Sequence, residues 1–148
     1  MWLGSQRDAS NLPWLRATGI RHVVNVGHHP GRPSWHTPGK ANPEGIDSYT
    51  EILAYDAAGY PILQHLREVL EVILKIFDEP GSGQVLINCH QGINRSGALA
   101  AAFLAIITNA PVHEIISIMR QGRPVLSNPS FVVQLYQWDA TRPRSAIK

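Results

Sequence analysis

The sequence predicts an α/β fold, in which a mainly parallel, twisted sheet carries helices on both faces within a single domain. Two short apolar runs, residues 22–26 and 84–88, are typical of buried strands. The segment between them, at residues 61–77, has apolar residues at the spacing of one helix face. Strands that alternate with helices favour parallel pairing, because each return connection crosses a face of the sheet.

The first third of the chain is predicted to contain a helix, a strand and a long loop. Residues 10–18 form the helix, with Ser10 as its N-cap and Gly19 directly after its end. The strand at 22–26 follows. From residue 27 to 47 glycine, proline and histidine recur without any period, which predicts a long loop.

The rest of the chain continues the alternation. A short strand is expected at residues 52–55, before the amphipathic helix, and the strand at 84–88 comes after it. Further helices are predicted at residues 96–107, at residues 111–120 and from Pro129 onward, the last with Asn128 as its N-cap.

Composition limits the class of protein. A length of 148 residues suits one domain with its own core, and a net charge of +2 without any Lys/Arg block argues against a nucleic-acid partner. No run of apolar residues is long enough to span a membrane, and the start lacks the layout of a signal peptide. The single cysteine excludes an internal disulfide. We therefore expect a monomer in the cytosol, with the nucleus as a further possibility, since both compartments are reducing.

That cysteine stands in the most informative segment. Cys89 directly follows the strand at 84–88, and Arg95 comes six positions later, where the helix at 96–107 begins. A loop that ends at a helix N-terminus offers unpaired N–H groups to an anion, and Gly92 permits the backbone conformations that such a loop needs. The same field lowers the pKa of a thiol from its free value of ~8.5, while arginine can hold two phosphate oxygens at once. The segment predicts a phosphate site with a reactive thiolate.

The spacing from Cys89 to Arg95, followed by Ser96, resembles the signature of the cysteine-dependent protein tyrosine phosphatase superfamily, and the short chain is similar to its dual-specificity branch. The resemblance implies a protein tyrosine phosphatase-like fold, with residues 1–148 as one dual-specificity phosphatase-like catalytic domain. Three other stretches carry the similarity as well, at residues 3–26, 51–56 and 123–135.

The resemblance assigns a role to each residue. Cys89 would attack phosphorus to form a cysteinyl-phosphate intermediate, and Arg95 with the loop amides would hold the phosphoryl oxygens. Asp56 would be the general acid, and Ser96 would donate a hydrogen bond to the sulfur. This chemistry requires no metal and no cofactor. The residues expected to bind substrate are those of the loop: His90, Gln91, Gly92, Ile93, Asn94 and Arg95.

Other residues compete for these roles. Asp47 and Asp78 could replace Asp56, but Asp47 precedes its strand and Asp78 follows a helix, so both are expected away from the strands' carboxyl edge. Asn128 is interpreted as a cap that steadies neighbouring loops. In the long loop, Trp35 could either stack on a substrate or pin the loop. Three histidines share that loop, but their spacing does not favour a zinc site over surface polarity: His28, His29 and His36.

The chain departs from the family just before the nucleophile, where the usual histidine is replaced by Asn88. Asparagine can still donate and accept hydrogen bonds, so we expect activity, and the sequence does not tell how Asn88 affects the thiolate pKa.

The substrate expected from the resemblance is a phosphoprotein carrying phosphotyrosine and also phosphoserine or phosphothreonine. The loop lacks the extra lysines typical of phosphoinositide phosphatases. An RNA 5′-triphosphatase-like activity remains open as well, because residues 94–97 resemble the corresponding stretch of capping enzymes. The chain could also be a catalytically weak adaptor that binds phosphoproteins. A sulfur-transfer enzyme matches the spacing less well.

Overall fold

The computed structural model describes residues 1–28 and 32–144. Within them a four-stranded sheet is accompanied by six α-helices and one 3₁₀ turn. The strands are β1 Trp2–Gly4, β2 Ile20–Gly27, β3 Ser48–Leu53 and β4 Gln84–Asn88. The helices are α1 Gln6–Ser10, α2 Leu12–Thr18, α3 Leu66–Phe77, α4 Arg95–Thr108, α5 Val112–Gly122 and α6 Pro129–Thr141, with the 3₁₀ turn at Ile62–His65.

The sheet has the order β1-β4-β2-β3, and each neighbouring pair is parallel. The registers place Asn88 opposite both Gly4 and Asn25, and Gly27 opposite Leu53. All four strands therefore end at one edge of the sheet, which is where open α/β folds bind ligands.

Helices cover both faces of the sheet, as predicted. On one face α1 and α2 enclose a small core, in which Leu15 packs with Val23 and Leu86. On the other face the larger core joins the strands to α3, α4, α5 and α6. Helix α4 lies deepest, and this follows from its sequence, because five of its first eleven residues are alanines, which let neighbouring elements approach closely.

The predicted start of the helix at residues 10–18 is wrong. Two helices occupy this region, and Ser5 rather than Ser10 caps the first of them, through a capping box with Asp8. Asn11 caps the second helix, while the Ser10 hydroxyl accepts a hydrogen bond from the backbone of Ser34. The predicted stop is confirmed, since Gly19 has the left-handed φ of 80° that ends α2.

The strand predictions need three corrections. Strand β1 was missed, and β2 begins two residues before the predicted 22–26. Strand β3 runs over Ser48–Leu53 rather than 52–55, and Ile52 is its one fully buried residue. An edge strand with so little burial gives a weak apolar signal, and its extent is decided by pairing with β2.

The later helices are close to prediction. The helix expected at 61–77 opens with the 3₁₀ turn, and α5 extends two residues past the predicted end at 120. Asn128 caps α6 through its side-chain oxygen, which accepts from the backbone N–H of Ser130. No helix in the described residues is both long and apolar enough to cross a membrane.

The described part of the long loop, from residue 32 to 47, contains no helix or strand, as predicted. Trp35 is half-buried, and its indole N–H donates to the carbonyl oxygen of Ala9 at 2.7 Å. Its ring also meets Tyr49 edge-on at 5.5 Å. These contacts support the interpretation that Trp35 pins the loop.

Candidate active site

The loop from Cys89 to Asn94 joins the end of β4 to the start of α4. Gly92 within it has a φ of 69°, and a Cβ at this position would overlap the carbonyl group of Gly4. Only glycine therefore fits where the loop passes the end of β1. The loop is also tied to α1, because the N–H of Gln6 donates to the His90 carbonyl at 3.0 Å.

The sulfur of Cys89 is nearly inaccessible, at 2% exposure of the residue. The hydroxyl of the fully buried Ser96 donates to the sulfur at 3.1 Å. Burial alone would raise the pKa of the Cys89 thiol. Hydrogen bonds from the Ser96 side chain and backbone, the charge of Arg95 and a backbone bond from Ile93 outweigh burial and hold that pKa below its ordinary value.

Arg95 is the first residue of α4, and the residue is only 6% exposed. Nη1 donates to the Ala54 carbonyl at 3.2 Å and also contacts the ring Nδ1 of His28 at 2.9 Å. Nε is buried and has no acceptor among the described residues. The local sequence around His28 carries no signal for this contact, which joins two residues far apart in the chain.

Asp56 lies beyond the end of β3 and faces the loop of Cys89. The amide of Asn94 donates to its Oδ2 at 2.9 Å, and the amide of Asn128 donates to its Oδ1 at 2.9 Å. Asn128 is thus both the N-cap of α6 and an anchor for this carboxylate. Two amides hold Asp56 from elements far apart in the chain.

The residues predicted for the site converge on one cavity of about 220 Å³. Its lining consists of Asp56, Cys89, His90, Gln91, Ile93, Asn94 and Arg95. Ser96 lies behind the sulfur, and Gly92 shapes the loop from a buried position. In this cavity a thiol with a lowered pKa, a guanidinium and a carboxylate surround space for a small anion.

The two competing carboxylates lie elsewhere. Asp47 precedes β3 and forms an ion pair of 2.6 Å with Arg21. Asp78 follows the last turn of α3 as its C-cap. Neither lines the cavity of Cys89.

Asn88, which precedes the nucleophile, is fully buried and donates to Asn25 Oδ1 at 3.2 Å. Asn25 in turn donates to the Tyr49 hydroxyl at 3.0 Å, and that hydroxyl donates to Glu51 at 2.9 Å. Glu51 is paired with Arg32, in the long loop. Burial raises the pKa of Tyr49 and keeps its hydroxyl protonated, so it can serve as a donor. A polar chain thus connects the end of β4 to the long loop.

Metal ligands do not gather anywhere in residues 1–28 and 32–144, where no three His, Cys, Asp or Glu side chains form a suitable group. His28 contacts Arg95, and His36 packs on the ring of Tyr49 at 4.0 Å. His29 lies outside the described residues.

The fold and the site together define an α/β domain with a thiolate and a guanidinium in one anion site at the sheet edge. The model of the dual specificity phosphatase catalytic domain family matches residues 1–141. Dual specificity protein phosphatase 26 of Homo sapiens is 30% identical over 139 residues, which cover 94% of this chain and 64% of that protein. The Bos taurus protein of the same name matches equally. The chain thus spans slightly less than two thirds of these relatives.

Solved structures show the same fold. Human DUSP28 superposes with a TM-score of 0.74 at 24% identity, over 93% of this chain and 86% of that one. The human tyrosine phosphatase-like serine/threonine/tyrosine-interacting protein has a TM-score of 0.76 at 23% identity, over 93% and 89% of the two chains. With the family match over nearly all of its length, the chain belongs to the dual specificity phosphatase catalytic domain family.

Proposed function

We propose that this protein is a protein phosphatase that hydrolyses phosphotyrosine, and also phosphoserine and phosphothreonine, through a cysteinyl-phosphate intermediate. One observation carries the proposal. A single cavity contains Cys89 with a lowered thiol pKa, the partly unpaired guanidinium of Arg95 and the anchored carboxyl group of Asp56. The family match favours this function over RNA-end hydrolysis, sulfur transfer or binding alone.

In the first step the Cys89 thiolate attacks phosphorus, an S–P bond forms and the bond from phosphorus to the leaving oxygen breaks. Asp56, in its protonated form, gives its proton to the leaving oxygen. Arg95 and the backbone N–H groups of the loop hold the other phosphoryl oxygens as charge shifts among them. The alcohol or phenol departs neutral.

In the second step the Asp56 carboxylate takes a proton from water, and the resulting hydroxide attacks phosphorus. The S–P bond breaks, inorganic phosphate forms and the electron pair returns to sulfur as thiolate. The Ser96 hydroxyl, 3.1 Å from Sγ, stabilises the negative charge on the departing sulfur. No metal or cofactor takes part in either step.

The proposed substrate is a phosphoprotein. Among the described residues that line the cavity, Arg95 is the one permanent cation, and no lysine is present to meet a second phosphate. This favours a phosphate monoester over a multiply phosphorylated inositol lipid. A basic track suited to a nucleic acid is also missing from the sequence, whose net charge is only +2.

The cellular setting follows from the thiol. We propose a reducing compartment, the cytosol or the nucleus, because oxidation of Cys89 would abolish nucleophilic attack. We further propose that residues 1–148 act as one catalytic domain and as a monomer, since every predicted catalytic group comes from the same chain.

The experiment compares wild type with Cys89→Ser in hydrolysis of para-nitrophenyl phosphate and of a phosphotyrosine peptide, with chelator present and vanadate as inhibitor. We expect turnover by wild type and none by the variant, which should still bind the phosphopeptide. Since Cys89 is the only cysteine, alkylation by iodoacetate should abolish activity with one equivalent bound.

Each competing function gives a different result. A folded wild type that binds phosphopeptide without turnover would be an adaptor. Release of phosphate from a 5′-triphosphorylated RNA, with no action on phosphopeptides, would establish the RNA-end activity. Equal turnover by wild type and Cys89→Ser would overturn the thiolate mechanism.

A further inference from the structure

Some N–H groups of the Arg95 guanidinium donate to other parts of the protein, and the others are left for the cavity. Both hydrogens of Nη1 have acceptors, since it contacts His28 Nδ1 at 2.9 Å and the Ala54 carbonyl at 3.2 Å. Nε has no acceptor among the described residues although it is buried. The scaffold thus holds one end of the guanidinium and leaves the edge formed by Nε and Nη2 for a ligand. That edge carries the parallel donors that match two oxygens of a phosphate.

We propose that His28 is a positioning residue for the proposed phosphatase reaction: its neutral imidazole accepts a hydrogen bond from Arg95 Nη1 and so aims the free edge of the guanidinium at the phosphoryl group. This inference rests on the proposed function. His28 acts through Arg95 and has no direct contact with the reacting atoms in the proposal.

The protonation state of His28 follows from the donor. Arginine has only donor hydrogens, so the contact requires a lone pair on Nδ1 of His28, and the ring proton must lie on Nε2. A doubly protonated imidazolium could not accept and would place a second positive charge beside Arg95. The contact therefore exists only with neutral histidine.

One side of the His28 ring is packed, and another side faces a cavity. Its ring packs on Tyr55 at 5.2 Å between centroids. On another side it lines a cavity of about 220 Å³ that also contains the ion pair of Arg32 and Glu51. Among the described residues, the charged or titratable groups around it are Arg95, Arg32, Glu51 and Tyr55.

His28 is the side chain on which this placement depends. No carboxylate lies within ion-pair distance of Arg95 among the described residues, and its other acceptor, Ala54, contributes only a backbone carbonyl. Removal of the imidazole leaves one hydrogen bond, about which the guanidinium can turn. The loss should affect both substrate binding and the transition state, because Arg95 holds the phosphoryl oxygens in each.

The test uses His28→Ala, His28→Asn and His28→Gln in steady-state hydrolysis of the phosphotyrosine peptide, with His113→Ala as the control. His113 is an exposed histidine on α5, remote from the site. The asparagine amide oxygen can occupy the place of Nδ1, whereas the longer glutamine places its oxygen farther out. We expect kcat/KM to fall about 10-fold in His28→Ala, with both kcat and KM affected, and to recover to within about threefold in His28→Asn but not in His28→Gln.

Phosphate binding tests the positioning of Arg95 directly. Binding of inorganic phosphate, measured by calorimetry at pH 7.5, should weaken in His28→Ala in parallel with kcat/KM.

Each outcome bears on the inference. His28→Ala within twofold of wild type, equal losses in the asparagine and glutamine variants, or unchanged phosphate binding in His28→Ala would overturn it. If the alanine variant does not fold, the comparison of asparagine with glutamine still decides. A wild type without turnover defeats the proposed function, whereas an active wild type that is insensitive to His28 substitution defeats only this inference.

Discussion

The hydroxyl of Ser96 donates to the Cys89 sulfur at 3.1 Å from a fully buried position on the first turn of α4. The same contact serves both proposed steps. It helps to lower the pKa of the Cys89 thiol. In the proposed second step it would also stabilise the sulfur as it leaves the phosphoryl enzyme.

Ser96→Ala should therefore raise the thiol pKa of Cys89 and slow hydrolysis of the intermediate more than its formation. We expect a burst of nitrophenol from para-nitrophenyl phosphate followed by a steady rate about 10-fold or more below that of wild type. Rapid-quench kinetics measures the burst, and iodoacetate alkylation against pH gives the thiol pKa. Ser117→Ala, on the exposed face of α5, is the control. A variant without burst and with an unchanged thiol pKa would remove Ser96 from this role.

Asp56→Asn should slow substrates with poor leaving groups far more than activated aryl phosphates. An alkoxide or phenoxide needs the proton from Asp56, whereas a nitrophenolate departs without it. We expect kcat on the phosphopeptide to fall about 100-fold, with a much smaller loss on para-nitrophenyl phosphate. Asp78→Asn, at the end of α3, should leave both rates unchanged. Equal losses on both substrates would contradict the assignment.

Asn128→Ser should separate the two contacts of Asn128. Serine is a good N-cap and keeps the bond to the start of α6, but it is too short to hold Asp56, whose Oδ1 accepts from the Asn128 amide at 2.9 Å. The melting temperature should change little while kcat on the phosphopeptide falls several-fold. Asn128→Ala should lower both kcat and the melting temperature, with a loss of about 1 kcal/mol in the free energy of unfolding. Full activity in the serine variant would show that Asn94 alone anchors the carboxylate.

Gly92→Ala should disrupt the loop of Cys89. The position has a φ of 69°, and the added methyl group would overlap the Gly4 carbonyl, so the loop must move away from β1. We expect a loss of about 1–3 kcal/mol in stability and loss of phosphate binding by calorimetry. Gly122→Ala is the matched control, since its Cβ would meet no atom within 4 Å. Normal phosphate affinity in Gly92→Ala would show that the loop tolerates the shift.

Asp139, outside the site, forms hydrogen bonds and ion pairs that depend on its carboxyl group being ionised. Its carboxylate accepts from the N–H of Val112 at 3.1 Å and pairs with Arg142 and Arg144 at 2.6 and 3.0 Å. Burial raises its pKa, but the hydrogen bonds from Arg144, Arg142 and Val112 outweigh burial and lower the pKa to about 2. The unfolded chain would have a value near ~3.9.

This depressed pKa stabilises the folded state above about pH 4, and the stabilisation is lost as the pH falls through about 2. Asp139→Asn should cost about 2 kcal/mol at pH 7, and the difference from wild type should shrink toward zero near pH 2. Urea unfolding at the two pH values measures it. Glu71→Gln removes an exposed pair with Arg67 and should change stability little at either pH. A cost for Asp139→Asn that does not depend on pH would contradict the linkage.

The sequence was sufficient to locate the centre of the site, because the relevant contacts are local. Cys89, Gly92 and Arg95 lie within seven consecutive residues, so a strand, a tight loop and a helix start are enough to predict a phosphate site with a reactive thiolate. The family resemblance pointed to Asp56, and its place after a strand agreed with this because parallel strands share an edge; the structure places Asp56 in the same cavity. Gly19 and Asn128 were recognised for a similar reason, since helix ends depend on neighbouring residues.

Only the tertiary structure decided which distant groups reach the site. His28 meets Arg95 across 67 positions of sequence, and Asn88 meets Asn25 across 63. The extent of β3 was decided by its pairing with β2. The division of residues 6–18 into two helices was decided by packing too, with Ser10 bonded to the loop at Ser34. Local spacing determines which backbone conformations are favourable. A hydrogen bond between remote side chains depends instead on the order of the strands in the sheet, and on which partners lie within reach of each buried polar group.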